Sequence, residues 1–163
     1  MNTNYRDDVE RARVKLELQE ERLAATRNRA RIAKEWASAF DIKIVKRPFG
    51  QRHARYSVIN RWIESPFPPN TNTALFKIAE QIANVHHSNG GSRPPYIEAY
   101  ERFHFAQSLF EGRGIRVNRK ITHRAQMTVY ELVKREIRDS DDLIDRSIAM
   151  WAEVSVPAAR LSK

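Results

Sequence analysis

The chain has 163 residues, 41% of them hydrophobic, with three Trp, five Tyr and seven Phe, which excludes a wholly disordered polymer and suits one domain or one domain with a helical arm. It contains no cysteine, so a disulfide framework, a thiolate metal site and a cysteine nucleophile are all excluded. The formal charge of +9 is concentrated: eleven cations and no carboxylate lie in residues 42–63 and 112–130, while the rest of the chain holds 18 cations against 20 carboxylates.

Residues 4–40 lack Gly and Pro and are rich in Ala, Arg, Leu and Glu, with Asn4 as an N-cap and Asp7, Asp8 and Glu10 in the early turns. This predicts one long helix. Val9, Leu16, Leu23, Ala30 and Ala37 recur every seven residues, and Tyr5, Ala12, Gln19, Thr26, Ala33 and Phe40 fill the second heptad position. Because Gln19 and Thr26 are polar, packing on a partner or on the chain's own domain is favoured over a long autonomous coiled coil. Segment 1–41 is therefore read as an association or docking arm. Its acids come early and Arg22, Arg27, Arg29, Arg31 and Lys34 late, an order that suits the helix macrodipole; a third phosphate-contacting strip is the alternative.

Two β-branched runs, 42–45 and 56–59, flank Pro48-Phe49-Gly50-Gln51 and predict a basic β-hairpin within segment 42–64, with a helix beginning near residue 55 as the alternative. Cations here alternate with Phe49, Tyr56 and Trp62, a mixture used on single-stranded nucleic acids, although Tyr56 and Trp62 are expected in the core. Ser65-Pro66-Phe67-Pro68-Pro69-Asn70 then enforces an extended break and opens a helical domain, 65–163.

A helix is predicted over 73–87, capped by Thr73 and burying Leu75, Ile78, Ala79 and Ile82. A Gly/Ser-rich loop follows, then a helix over 96–110 whose stripe of Ile97, Tyr100, Phe103 and Phe110 belongs to the core. His86-His87 with Asn89-Gly90-Gly91 is superficially similar to HNH nucleases, but the glycines follow too soon, and the pair is read as a helix C-terminus. Beyond Gly112-Arg113-Gly114, residues 115–121 alternate as one short strand, 122–138 carry helical spacing, and Ser140-Asp141-Asp142 caps a last helix with Leu143, Ile144, Ile148 and Trp151.

A basic strand followed by two helices resembles the ribbon-helix-helix family, whose dimers lay a two-stranded ribbon in the DNA major groove, over about 40 residues. The resemblance implies that Arg116, Asn118 and Lys120 are ribbon side chains and that residues 140–144 open the second helix beside the DNA backbone. Arg119 interrupts the ribbon's apolar face, and Ile137 stands where the inter-helix turn usually has Gly.

No P-loop, dinucleotide glycine fingerprint or nucleophile elbow occurs, and Asp139, Asp141, Asp142 and Asp145 belong to a helix start. No catalytic residue, metal or cofactor is therefore expected. The expected fold is mainly α, with a long N-terminal helix, a helical domain and at most one small β-hairpin or ribbon. The expected function is non-catalytic binding of nucleic acid, DNA or RNA, in a DNA-binding accessory or regulatory role, because clustered cations release counterions from a polyanion. The candidate contacts are Lys43, Lys46, Arg47, Arg52, Arg55, Arg61, Arg113, Arg116, Asn118, Arg119, Lys120 and Arg124. A homo-oligomer or larger nucleoprotein complex would form through the N-terminal helix. The alternative is a helical structural subunit of such an assembly, of the class of CRISPR small subunits or phage packaging adaptors. With no apolar leader and no uncharged stretch near the roughly 18 residues of a membrane span, a cytoplasmic protein without membrane contact is expected.

Overall fold

The structure, a computed structural model, describes residues 3–47, 55–87 and 94–136 together with Ile148 and Trp151. The order is α1 (Thr3–Ala39), β1 (Lys43–Lys46), β2 (Tyr56–Ser57), β3 (Trp62–Ser65), α2 (Asn72–His86), α3 (Pro95–Gly112) and α4 (Arg119–Glu136). The chain is thus mainly α with a long N-terminal helix and a small sheet.

At 37 residues α1 runs about 55 Å. Only its last turns join the body: Ile32, Ala33, Trp36 and Ala37 are buried, while Tyr5, Val9, Val14, Leu16, Leu18 and Leu23 are exposed. Its end is a Schellman turn, in which the Ile42 amide donates to the Ala37 carbonyl at 2.8 Å and the Asp41 amide to that of Ser38 at 3.1 Å. Asp41 holds the left-handed position, with φ 54°. This turn directs the chain from α1 straight into β1 and buries Ile42 beneath it.

The strands do not pair as the sequence suggests. The sheet order is β1-β3-β2, with β3 parallel to β1 and antiparallel to β2, so β1 and β2 never meet. The expected hairpin between 42–45 and 56–59 is corrected to a tighter one: Tyr56 faces Ile63, Ser57 faces Trp62, and Val58, Ile59, Asn60 and Arg61 form the turn. Two contacts fix that turn. The Ser57 hydroxyl accepts from the Asn60 amide, and Arg61, at φ 48°, donates through Nε to the Asp41 carbonyl at 3.1 Å and through Nη2 to that of Phe40. Ile63 is the residue that enters the core, leaving Ile59 exposed and Tyr56 46% exposed, against the expectation that Tyr56 is buried. The basic tip at 48–54, with Phe49 and Arg52, lies outside the described residues.

Helix α2 is capped by Thr71, not Thr73: the Thr71 side chain accepts from the Ala74 amide. It lies against α1, the sheet and α3, and α3 in turn packs on α4. The core joins Trp36 of α1, Ile63 of β3, Leu75, Phe76, Ile78 and Ile82 of α2, and Phe103 and Phe110 of α3, with Ile121 of α4. The Phe110 ring centroid lies 5.6 Å from that of Trp36 and 5.2 Å from that of Phe76. A second cluster joins Tyr96 and Ala99 to Val129, Val133 and Ile148, with Ile97, Tyr100 and Trp151 packed on it, so the expected aromatic stripe of α3 does serve the core.

The expected strand over 115–121 does not form. Helix α3 ends in a second Schellman turn at Gly114, φ 65°, with bonds from Ile115 to Phe110 and from Gly114 to Glu111, both 2.9 Å. Four residues later Asn118 already caps α4, its Oδ1 accepting from the Ile121 amide at 2.9 Å. Ile115 and Val117 pack on the core as irregular chain, and the ribbon of the ribbon-helix-helix resemblance is absent here. Its second helix, from residue 140, lies outside the described residues except for Ile148 and Trp151, both helical.

Candidate functional site

A cleft of about 780 Å³ opens between the end of the sheet, α2, α3 and the first two turns of α4. Its cations come from both acid-free segments, Arg47 from the first and Lys120 and Arg124 from the second, joined by Lys77 of α2 and Arg102 of α3. Each is positioned by an element that the sequence builds locally. Arg47 continues β1, its amide donating to the Ser65 carbonyl at 2.9 Å. Lys120 and Arg124 are four residues apart on the helix that Asn118 starts, and therefore share a face.

The cleft is not uniformly basic. Glu64 and Glu80 also line it. Burial pushes the Glu80 carboxyl above its ordinary range, although Arg102, Arg124 and Lys77 pull in the other direction. Arg102 donates to the Asn84 side chain at 3.2 Å. Arg47 Nε and Nη2 and Glu64 Oε2 are buried and have no hydrogen-bond partner. Such groups cost free energy until something pairs with them, and here a donor and an acceptor wait in one cleft.

The other candidate residues are not gathered there. Lys43 and Lys46 line a separate concavity of about 790 Å³ beside Lys34, Ile59 and Phe67, on the side of the α1 terminus. Arg61 borders it too, but its guanidinium is committed to the Phe40 and Asp41 carbonyls. Arg113 pairs with Glu35 of α1, which Arg31 also contacts at 2.6 Å. Although desolvation raises it, the Glu35 carboxyl ends below its ordinary value because both arginines hold the charged form. Asn118 is a helix cap and not a ribbon side chain. Arg55, Arg116 and Arg119 are exposed and line neither concavity. Arg52 lies outside the described residues.

Sequence reasoning missed Lys77, Arg102, Glu64 and Glu80. The two cations escape a search for acid-free windows because Glu80 and Glu101 are close to them in sequence. Helical spacing was the available signal, since Lys77, Glu80, Gln81 and Asn84 recur at intervals of three and four on the polar face of α2.

Comparison of the chain with family models, with curated proteins and with solved structures finds no match. No helix among the described residues is long and apolar enough to cross a membrane.

Proposed function

We propose that the chain is a non-catalytic nucleic-acid-binding protein of the cytoplasm that holds phosphates in the cleft formed by the end of the sheet, α2, α3 and α4, as an accessory or regulatory factor. The observation that carries this reading is the convergence of Arg47 with Lys120 and Arg124, 73 and 77 residues away in sequence, around a guanidinium with two buried, unpartnered nitrogens. Buried guanidinium nitrogens without an acceptor cost free energy, and a phosphate offers both the charge and the acceptors. Lys43 and Lys46, on the separate concavity beside the α1 terminus, offer a second basic surface to the same strand. The test is a titration against labelled single- and double-stranded oligonucleotides at about 50 and 200 mM salt. Five cleft cations predict a slope of log affinity on log salt of about −3.5 for a single strand, from about −0.7 per phosphate. Absence of binding at the lower salt refutes the proposal.

The second reading, a structural subunit of a larger nucleoprotein assembly, is favoured by the exposed face of α1. Tyr5, Val9, Leu16 and Leu23 are 50–71% exposed at heptad spacing, more apolar surface than a helix in water is expected to show. Self-association or docking of this arm is compatible with phosphate binding in the cleft. Sedimentation across a range of concentrations tests it, with a concentration-independent monomer excluding self-association.

A further inference from the structure

We propose that the cleft receives an unpaired nucleotide, with Arg47 on its phosphate and Glu64 on the exocyclic amino group of its base. This rests on the phosphate-binding reading above and names the form of nucleic acid that fits it. A surface made only for phosphates has no use for a carboxylate among its cations, because Glu64 repels every phosphate that Arg47, Lys120 and Arg124 attract. The Glu64 Oε2 atom is buried and lacks a donor, and phosphodiester oxygens are acceptors only. The Arg47 Nε and Nη2 atoms lack an acceptor. A nucleotide satisfies both, its phosphate accepting from Arg47 and an amino group of cytosine or adenine donating to Glu64, the pairing carboxylates make with cytosine N4.

The size of the cleft favours an unpaired base. The cleft, at about 780 Å³, has the size of sites that enclose a small ligand, and a duplex laid across its mouth presents phosphates while its amino groups stay at the floor of the major groove. Glu80, the other carboxylate of the cleft, is shifted toward its neutral form by burial. Thymine and uracil carry no amino group and present carbonyl oxygens beside their one ring N–H, so they meet Glu64 unfavourably.

The experiment is an anisotropy titration of the full chain with labelled oligodeoxycytidine, oligodeoxyadenosine, oligothymidine and a fully abasic strand, each of about 15 nucleotides, and a mixed duplex of the same length. The wild type is expected to bind the cytidine and adenosine strands about tenfold more tightly than thymidine, abasic strand or duplex, the worth of one buried charged hydrogen bond. Glu64→Gln is expected to close the gap to within about threefold, because the amide removes the charge and also donates to thymine carbonyls. Equal affinity of the wild type for all the strands, with binding still lost in a Lys120→Ala and Arg124→Ala double variant, overturns this inference and leaves the phosphate-binding reading standing. No binding to any of them overturns both. Should Glu64→Gln fail to fold, the wild-type ranking of cytidine against abasic strand decides alone.

Discussion

Leu16, Leu23 and Ala37 occupy the same heptad position of α1, yet the two leucines are 60% and 50% exposed and the alanine 2%. The large apolar residues stand in solvent, and the small ones are inside. The packing explains the inversion: α2 lies against the last turns of α1, and Ala33 and Ala37 allow that approach while Trp36 reaches over to Phe110. Along the first part of the helix no described element is present to be approached, and the leucines stay exposed. A heptad thus reports which face a helix can bury, and the rest of the fold decides where along its length the burial happens.

The largest expected effect breaks this comparison at its buried end. Trp36→Ala and Phe110→Ala each remove an aromatic ring from the main core and are expected to cost about 3–5 kcal/mol in a denaturant titration. Leu16→Ala, though it deletes as many apolar atoms as many core truncations, is expected to stay within about 0.5 kcal/mol in dilute solution, where the arm is solvated. A cost for Leu16→Ala that grows with protein concentration would show the arm covered by a second copy.

The same contrast between identical residue types in different surroundings applies to the cations. All four are exposed, but Lys120 and Arg124 line the cleft, while Arg116 and Arg119, one turn away or less, do not. Replacing the first pair by alanine is expected to reduce oligonucleotide affinity at least about tenfold and to flatten the salt slope by about 1.4, whereas replacing the second pair should change affinity no more than about twofold. Equal losses from both pairs would mean a diffuse basic face instead of a cleft.

These regions also differ in how readable they were. The helices were legible because their signals are local, 37 residues without a breaker and Gly114 as a stop, whereas their caps were not: Thr71 takes the role expected of Thr73, and Asn118, expected in a strand, starts α4. The sheet was not, because β-branched runs say which segments favour extension and nothing about which will be neighbours. Val58 and Ile59, the strongest strand formers of their segment, became a turn, since Ile63 was the residue that α2 and α1 could bury and the pairing of Lys43 with Trp62 followed from it. The cleft was half legible. Arg47, Lys120 and Arg124 stand in acid-free windows, but that Glu64 joins them could be seen only once the sheet and three helices had been brought together, and the charge count that exposed the cations hid the carboxylates among them.

His104 gives a smaller effect, read through pH. It lies on α3 between the rings of Tyr100, Phe103 and Trp151, with Nε2 buried and without a hydrogen-bond partner. Burial lowers its pKa from the ordinary 6.5, only partly opposed by Glu111. The unfolded chain therefore binds the proton more tightly, so stability is full above about 6.5 and falls as pH drops toward the folded pKa. Glu80 acts with the opposite sign at lower pH: its raised pKa adds stability in acid that is lost as pH rises through the folded value. His104→Gln should flatten the loss between about pH 6.5 and 5.5 in thermal melts, and an unchanged slope would assign it to other groups.

The smallest effect comes from comparing the two helix ends built on the same turn. In α3 the left-handed residue is Gly114, in α1 it is Asp41, and the bonding around both is the same. A Cβ built on Gly114 meets nothing within 4 Å, so Gly114→Ala carries only the backbone cost of a left-handed L-residue, about 1 kcal/mol. Asp41 already bears part of that cost, reduced because a short polar side chain tolerates the conformation. Asp41→Gly should accordingly raise stability by a few tenths of a kcal/mol, or about 1 °C in Tm. The two substitutions move in opposite directions for one reason, and a destabilising Asp41→Gly would mean that the carboxylate itself holds the end of α1, where Arg61 already grips the Phe40 and Asp41 carbonyls.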